Sequence, residues 1–214
     1  MIRLLLVDDD PLVRSGLRLL FAGAPDISVV AEAADGSEVM SLVRELAPDL
    51  VLMDIRMPTM DGLAATQMLR SRTPSPEIVM LTTFHSDDNV LRALRAGAAG
   101  FLLKDTPPRE IVEAVRRVAA GDPVLSPTVI QQLITAVTAD TGVKRQSARA
   151  RLALLGVRER QVAAEVAEGR ANAEIAAELF ISIATVKAHV SSILTKLDLN
   201  NRVQIAILIH DAEL

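Results

Sequence analysis

Five short apolar runs, each followed by a helical pattern, fill the first 120 residues and constrain the fold of this chain more than any other feature. The runs predict strands near residues 2–7, 27–32, 50–53, 78–81 and 100–103. The segments after them predict helices near 11–22, 36–46, 61–71, 87–96 and 107–120. Because strands joined by helical crossovers run parallel and are covered on both faces, this alternation predicts a doubly wound α/β domain.

Several of the predicted helices begin with a capping signal. Asp10-Pro11, Thr106-Pro107 and Ser126-Pro127 each place a capping residue before a proline at the first helical position. Asp35-Gly36-Ser37-Glu38 has the spacing of a capping box. Asp61, which precedes a glycine, indicates a turn or a cap. For Asp10, a capping role is favoured over a metal-binding role.

Polar residues directly follow or end four of the predicted strands. Asp8-Asp9 follows the first strand, Asp54 the third, Thr82-Thr83 the fourth and Lys104 the fifth. The carboxyl ends of parallel strands face one crevice, so these residues are expected to lie together there. Crowded carboxylates repel one another, and a divalent cation such as Mg²⁺ relieves that repulsion. With a lysine and hydroxyls beside it, such a site is suited to hold a phosphoryl group on a carboxylate.

Composition excludes several classes of protein. The chain has no cysteine, which excludes a disulfide framework and thiolate metal sites. No apolar run approaches the roughly 18 residues of a membrane span, and Met1 leads directly into a predicted strand, so neither a membrane span nor a signal peptide is expected. With four Phe and no Trp or Tyr, binding of single-stranded nucleic acid by stacking is not expected. These features favour a cytoplasmic protein.

The sequence pattern changes after Gly121. One more helix is predicted near 127–138, and the polar, basic residues 139–150 show no apolar periodicity, which indicates a linker. Every later element is predicted to be helical, near 157–168, 172–179, 183–197 and 201–211. The chain is therefore expected to form an N-terminal domain over 1–120, a connecting segment over 121–151 and an all-α domain over 152–214.

The predicted helix near 183–197 has the charge distribution of a DNA-facing helix. It contains no acidic residue, although acidic residues outnumber basic ones in the domain as a whole. The apolar residues that follow helical spacing and are expected in the core are Val186, Val190, Ile193, Leu194 and Leu197. The residues left to face outward are Ala184, Thr185, Lys187, Ala188 and Ser191. A local absence of negative charge is what contact with phosphates requires.

Motifs in both halves resemble those of one protein family. The first half resembles the receiver domain of two-component response regulators in Val7-Asp8-Asp9-Asp10-Pro11, Met53-Asp54-Ile55-Arg56-Met57-Pro58-Thr59-Met60-Asp61-Gly62, Leu81-Thr82-Thr83 and Phe101-Leu102-Leu103-Lys104. The last part resembles a LuxR-type helix-turn-helix in Arg158-Glu159-Arg160-Gln161-Val162, Ala173-Glu174-Ile175-Ala176 and Thr185-Val186-Lys187-Ala188-His189-Val190. Together they resemble the NarL/FixJ class of bacterial transcriptional regulators, which implies a five-stranded parallel sheet of order 2-1-3-4-5 in the first domain.

The resemblance to receiver domains implies a role for each polar residue at the strand ends. Asp54 is implied as the phosphoacceptor. The implied Mg²⁺ ligands are Asp8, Asp9, Asp54 and the backbone carbonyl of Arg56. The implied contacts to the phosphoryl group are Lys104, Thr82, Thr83 and Arg56. Thr82 and Phe101 are implied as switch residues that move on phosphorylation, although Phe101 is equally well explained as a core residue.

The resemblance to LuxR-type domains implies that the helix near 183–197 enters the major groove. The implied base contacts are Lys187, Ala188 and Ser191, of which Lys187 is the best candidate because lysine suits guanine O6 and N7. The residues implied to lie nearer phosphates or the scaffold are Thr185, His189 and Asn172. Lys196 completes the predicted DNA-binding set, and for His189 a packing role is equally well founded. Gly156 and Ala171 depart from the family because they replace the usual capping residues before two helices.

The expected function is that of a DNA-binding transcriptional regulator in a two-component system, with no enzymatic activity beyond its own phosphorylation. A sensor histidine kinase is expected to phosphorylate Asp54 with Mg²⁺, which favours a homodimer and promoter binding. One alternative is a dimeric regulator that works without phosphorylation. A phosphohydrolase with an aspartate nucleophile is a further alternative, disfavoured because such enzymes usually have a second Asp two residues after the nucleophile, where this chain has Arg56.

Overall fold

The computed structural model describes residues 1–71, 75–83, 87–122, 124–125 and 142–213 of the 214-residue chain. The chain divides into two compact units, Met1–Val129 and Ile130–Leu214. The helix predicted near 127–138 and its cap at Ser126-Pro127 lie outside the described residues.

The first unit is built on a parallel sheet. Its strands are β1 (Ile2–Val7), β2 (Ile27–Ala33), β3 (Leu50–Met53), β4 (Glu77–Thr82), β5 (Gly100–Leu103) and β6 (Val124–Leu125). Their order is β2-β1-β3-β4-β5-β6, which confirms the predicted order 2-1-3-4-5 and adds one short strand beside β5. The sequence did not indicate β6, because two residues are too few to show a period.

In the described part of this unit, five helices cover the two faces of the sheet. They are α1 (Pro11–Ala22), α2 (Gly36–Leu46), α3 (Gly62–Arg70), α4 (Asp87–Ala96) and α5 (Pro108–Ala119). On one face, α1 and α5 bury apolar side chains such as Phe21 and Val115 against strand residues such as Leu6, Leu52 and Leu81. The helices α2, α3 and α4 contact one another in succession and take the other face.

The predicted caps at Asp10, Asp35 and Asp61 are confirmed. Asp10 accepts the Leu12 N–H at 2.8 Å, Asp35 the Ser37 N–H at 2.9 Å, and Asp61 the Ala64 N–H at 2.7 Å. The capping box at α2 is shifted, because Glu38 accepts from Ala34 N at 3.0 Å.

The predicted start of α5 is wrong by one residue. Pro107 is the N-cap and supplies no capping side chain, so α5 begins at Pro108. The Thr106 hydroxyl instead accepts the Leu103 N–H at 3.3 Å. The Thr106 hydroxyl, predicted from sequence to cap α5, therefore bonds within the turn that follows β5 instead.

The second unit is entirely helical in its described part. Its helices are α6 (Gly142–Leu152), α7 (Val157–Ala167), α8 (Asn172–Glu178), α9 (Ile183–Lys196) and α10 (Arg202–Glu213). The last four confirm predicted helices. The interpretation of 139–150 as a linker is wrong for residues 142–150, which lie in α6. Within α6, Ala148 is buried and the Arg149 guanidinium donates to the Ala212 carbonyl at 2.9 Å.

A tight turn joins α8 and α9, whose axes differ by 107°. This angle is within the usual range of a helix-turn-helix, about 90–120°. In the turn, Phe180 is 94% exposed and has a left-handed backbone, with φ of 53°. No single helix in the described ranges is long and apolar enough to cross a membrane; α8 and α9 pass that test only as a bent pair, by length and composition.

Candidate functional site

Strand register brings the predicted site residues to one edge of the sheet. Val7 of β1 pairs with Met53 of β3, and the Asp54 N–H donates to the Val7 carbonyl at 2.8 Å. In the same way, the Lys104 N–H donates to the Thr82 carbonyl at 2.8 Å. The residues that follow neighbouring strands therefore lie side by side at the carboxyl edge of the sheet.

Three carboxylates and one ammonium group meet at this edge. One carboxylate oxygen from each of Asp8, Asp9 and Asp54 lies within 4.8 Å of the others. Asp8 and Asp54 are buried, whereas Asp9 is exposed. Lys104 Nζ lies 2.6 Å from Asp8 Oδ2 and 2.7 Å from Asp54 Oδ2. The structure thus brings together the four residues on which the sequence interpretation depends.

Backbone contacts orient the two buried carboxylates. The Ile55 N–H donates to Asp54 Oδ1 at 2.6 Å, and the Asp10 N–H donates to Asp8 Oδ1 at 3.0 Å. In both residues Oδ1 is held by the main chain and Oδ2 is the atom nearest Lys104. Both Oδ2 atoms therefore lie beside the Lys104 ammonium, and their negative charge is concentrated in one small region.

The electrostatics of the cluster favour a bound cation. Burial raises the pKa of Asp8 above its usual value, although the Lys104 ammonium and the Asp10 N–H oppose this rise. Burial alone would lower the pKa of Lys104, but its hydrogen bonds with Asp54 and Asp8 outweigh this and leave the pKa raised. The Lys104 ammonium contacts Asp8 and Asp54, so this single positive charge accompanies the three carboxylates of the cluster. This all-oxygen donor set fits Mg²⁺.

The remaining receiver residues differ in exposure. Thr82 is buried at the end of β4, while Thr83 and Arg56 are exposed near the ends of their strands. Phe101 is fully buried on β5, and it takes the face of the sheet opposite to Leu102 because side chains alternate along a strand. The Phe101 side chain therefore lies in the interior of the domain.

The predicted division of faces on α9 is confirmed. The helix begins at Ser182, whose hydroxyl accepts the Thr185 N–H at 3.0 Å. The predicted core residues are buried or partly buried, and the predicted outward residues are all exposed: Ala184, Thr185, Lys187, Ala188 and Ser191. His189 is partly buried.

Two residues of the predicted DNA-binding set have structural contacts inside the domain. Asn172 is only 5% exposed, and its Oδ1 accepts from Arg202 Nη1 at 3.1 Å. Of the two roles that the sequence allowed for Asn172, the structure favours the scaffold role over a DNA contact, because the side chain is buried and bonded to Arg202 of α10. Lys196 Nζ lies 2.8 Å from the Glu159 carboxylate, so this ammonium ties α9 to α7.

Glu159 is a central residue of this domain that the sequence interpretation did not single out. It is 7% exposed and accepts hydrogen bonds from Gly156 N at 2.7 Å, Ser192 Oγ at 2.7 Å and Lys196 Nζ at 2.8 Å. Its position three residues after Gly156 is the spacing of half a capping box. Glu174 likewise accepts the Ala171 N–H at 2.7 Å. The helix starts that lack capping side chains are therefore supported by these glutamates.

The pH dependence of unfolding should reveal the contribution of Glu159. The Lys196 ammonium, with the Gly156 N–H and the Ser192 hydroxyl, lowers the pKa of Glu159 from 4.5 to about 2. A lowered carboxyl pKa adds stability above pH 4.5 that is lost as the pH falls toward about 2. We expect Glu159→Gln to destabilise the domain at pH 7, by an amount that shrinks across this window. Urea unfolding followed by NMR signals of the C-terminal domain measures it.

Glu178 provides the matched control for this experiment. It is an exposed glutamate of the same domain, 3.3 Å from Arg170, and exposed ion pairs contribute little. Glu178→Gln should leave the unfolding midpoint nearly unchanged at every pH. A Glu159→Gln deficit that stays constant from pH 7 to pH 2 would contradict the assigned role of the ionised carboxylate.

Comparison with known proteins settles the family. Residues 4–116 match the response regulator receiver domain, and residues 153–209 match the luxR family of bacterial regulatory proteins. The chain belongs to the response regulators that carry a LuxR-type DNA-binding domain. As a member of this NarL/LuxR family it is a DNA-binding two-component response regulator, which confirms the family predicted from the motifs.

Full-length relatives and a solved structure agree with this assignment. The transcriptional regulatory protein LiaR of Bacillus subtilis is 40% identical over 212 residues, which cover 98% of this chain and 97% of LiaR. The nitrate/nitrite response regulator protein NarL of Escherichia coli K12 is 37% identical over 207 residues, covering 97% and 94%. The crystal structure of ChrA, a response regulator in a heme-sensing two-component system, is 35% identical with a TM-score of 0.55, covering 99% and 98%.

Proposed function

We propose that this response regulator is a cytoplasmic protein switched by Mg²⁺-dependent phosphorylation of Asp54 by a sensor histidine kinase. The phosphorylated form dimerises and binds promoter DNA. The observation that carries the proposal is the convergence of Asp8, Asp54 and Lys104, with Lys104 Nζ 2.6–2.7 Å from an oxygen of each carboxylate. A buried carboxylate with one oxygen free of the main chain and a cation beside it is equipped to accept a phosphoryl group.

The phosphoryl transfer uses groups that are already in place. An Asp54 oxygen attacks the phosphorus of a phosphohistidine on the kinase, and the N–P bond breaks as the new O–P bond forms. The imidazole leaves with the electron pair of the broken bond. Lys104 keeps its proton and offsets the charge on the transferring oxygens. Asp8, Asp9, Asp54 and the Arg56 carbonyl would hold Mg²⁺, whose charge would further stabilise those oxygens.

Phosphorylation then changes the balance of contacts at the end of β4 and β5. The group adds a charge of about −1.5 to −2 and new acceptor oxygens. The Thr82 hydroxyl and the Thr83 N–H, together with Arg56, are the proposed donors to those oxygens, and the buried Phe101 ring is the proposed partner in the switch. Dimerisation of the switched state adds further stabilisation by mass action.

The exposed face of α9 is the proposed DNA contact surface. Lys187, Ala188 and Ser191 are exposed on this face and are the proposed base-reading residues. Thr185 and His189 are proposed to lie nearer the phosphates. Because acidic residues dominate the rest of the domain, the absence of acids on α9 is what allows approach to the phosphate backbone.

DNA affinity and oligomeric state with and without acetyl phosphate and Mg²⁺ test this function. For the wild type, we expect promoter affinity to tighten about 5- to 150-fold together with dimerisation, the usual range of coupling between two sites. Asp54→Asn should show neither change, since the amide is not a nucleophile for phosphorus. Equal affinity of wild type and Asp54→Asn under both conditions would instead support the alternative of a regulator that works without phosphorylation.

A further inference from the structure

The loop that carries Arg56 is held near its ends by two hydrogen bonds, one between backbone groups and one to the Asp54 side chain. It covers residues 55–61 and, together with Asp54, links β3 to α3. The Gly62 N–H donates to the Ile55 carbonyl at 2.8 Å, and the Ile55 N–H donates to Asp54 Oδ1 at 2.6 Å. Ile55 and Met57 are buried, so the first half of the loop is also anchored by packing. These contacts leave the second half, around Thr59 and Met60, to be held from elsewhere.

Asp35 holds that second half from a different element. Its carboxylate lies at the start of α2, and Oδ2 accepts the Thr59 N–H at 2.8 Å. The Met60 N–H is shared between both Asp35 oxygens, at 3.2 and 3.3 Å. Oδ1 also accepts the Ser37 N–H and the Ser37 hydroxyl, which caps α2. One oxygen therefore serves mainly the helix and the other mainly the loop.

Gly36 brings the two segments close enough for these bonds. The Gly36 N–H donates to the Met60 carbonyl at 3.3 Å. A Cβ on Gly36 would lie 2.5 Å from the Met60 oxygen, a backbone atom that cannot rotate away. The pKa of Asp35 is lowered by its bonds to Ser37, Thr59 and Met60, so the carboxylate is ionised and accepts strongly at neutral pH.

We propose that Asp35, with Gly36, positions the 55–61 loop so that the Arg56 carbonyl and the Asp54 carboxylate are arranged together for Mg²⁺ binding and phosphorylation. The proposal rests on the proposed function of Asp54. Asp35 is not one of the clustered carboxylates and acts through its bonds to the loop, so it is a positioning residue. If Asp35 only caps α2, loss of Oδ2 as an acceptor leaves the acidic cluster unaffected; if it positions the loop, Mg²⁺ affinity falls.

Replacement of Asp35 by asparagine separates the two roles. Asparagine caps a helix as well as aspartate does, but its amide nitrogen cannot accept the Thr59 N–H. Asp61→Asn is the matched control, because Asp61 caps α3 and its side chain accepts the Ala64 N–H within that helix. Both changes remove one negative charge from the N-cap of a helix in the receiver domain.

The first readout is the Mg²⁺ dissociation constant of the full-length, unphosphorylated chain, from NMR titration with MgCl₂ alone. We expect Asp35→Asn to weaken Mg²⁺ binding about tenfold, as for other groups that orient metal ligands, and Asp61→Asn to stay within about twofold of wild type. Gly36→Ala should weaken binding in the same direction without a change of charge. Acetyl phosphate labelling at saturating Mg²⁺ should then recover most of the lost rate in Asp35→Asn.

The outcomes distinguish this inference from the proposed function. Equal Mg²⁺ affinities for wild type, Asp35→Asn and Gly36→Ala, with labelling that still requires Asp54, would overturn the role of Asp35 and leave the function intact. A wild-type chain that neither binds Mg²⁺ nor becomes labelled would overturn both. Weakened binding in Asp35→Asn and Gly36→Ala but not in Asp61→Asn establishes the positioning role.

Discussion

Replacement of Gly62 by alanine is expected to destabilise the receiver domain by about 3 kcal/mol and to slow phosphorylation of Asp54. A Cβ at Gly62 would lie 2.2 Å from the Asp54 carbonyl oxygen, 3.1 Å from the Asp54 carbonyl carbon and 3.2 Å from Ile55 Cα. All three are backbone atoms, so no side-chain rotation relieves the collision. The peptide that carries the phosphoacceptor must move instead. Urea unfolding and acetyl phosphate labelling of the full chain measure the two effects.

Gly16→Ala is the matched control, because it adds the same methyl group where there is room. Gly16 lies inside α1, and a Cβ there meets nothing within 4 Å. Alanine should therefore stabilise the domain by about 0.5–1 kcal/mol, through the lower helix propensity of glycine. If both alanine variants unfold at the same urea concentration, the close approach of Gly62 to Asp54 has no energetic importance.

Replacement of Lys104 by methionine is expected to lower the phosphorylation rate about 10²- to 10³-fold, the usual effect of removing one preorganised charge-stabilising group. The same change should destabilise the apo domain at neutral pH by about 3 kcal/mol, since it leaves buried carboxylates without their cation. Methionine keeps the length and the apolar stem of the side chain, so the loss reports on the ammonium. Acetyl phosphate labelling, quenched at successive times, measures the phosphorylation rate, and urea unfolding measures the stability.

The stability deficit of Lys104→Met should depend on pH and on Mg²⁺. Burial already raises the pKa of Asp8 above 3.8 in the wild type, and removal of the ammonium raises it further. A raised carboxyl pKa lowers stability as the pH rises above the unfolded value, so acidification toward pH 4 should reduce the deficit. MgCl₂ should reduce it at neutral pH by replacing the lost positive charge.

Lys187→Met serves as the control for the Lys104 experiment. Lys187 is exposed on α9 of the other domain, where a single surface substitution changes unfolding by less than about 0.5 kcal/mol. Its labelling rate should equal that of the wild type. A Lys104→Met chain that is labelled at the wild-type rate would show that the ammonium seen beside Asp54 takes no part in the reaction.

Local sequence patterns were enough to predict the strands and helices of the receiver domain and the residues that meet at its acidic site. The strands β1, β3 and β5 have the predicted bounds, because short apolar runs that alternate with helical segments are typical of a parallel sheet covered on both faces. Once the strands are parallel, the residues after them must meet at one edge. The sequence alone therefore predicts that Asp8, Asp54 and Lys104 lie close together, although they are up to 96 residues apart in the chain.

Only the tertiary structure decided which polar groups are paired across elements. The arginines of α6 reach the Ala212 and Leu197 carbonyls, and these contacts help hold a helix whose sequence lacks apolar periodicity. Asn172, placed from sequence nearer the phosphates or the scaffold, is buried and accepts a hydrogen bond from Arg202 of α10. Asp35 reaches Thr59 across 24 residues. Apolar periodicity is a local property of the chain, whereas a hydrogen bond depends on where the fold places its two partners.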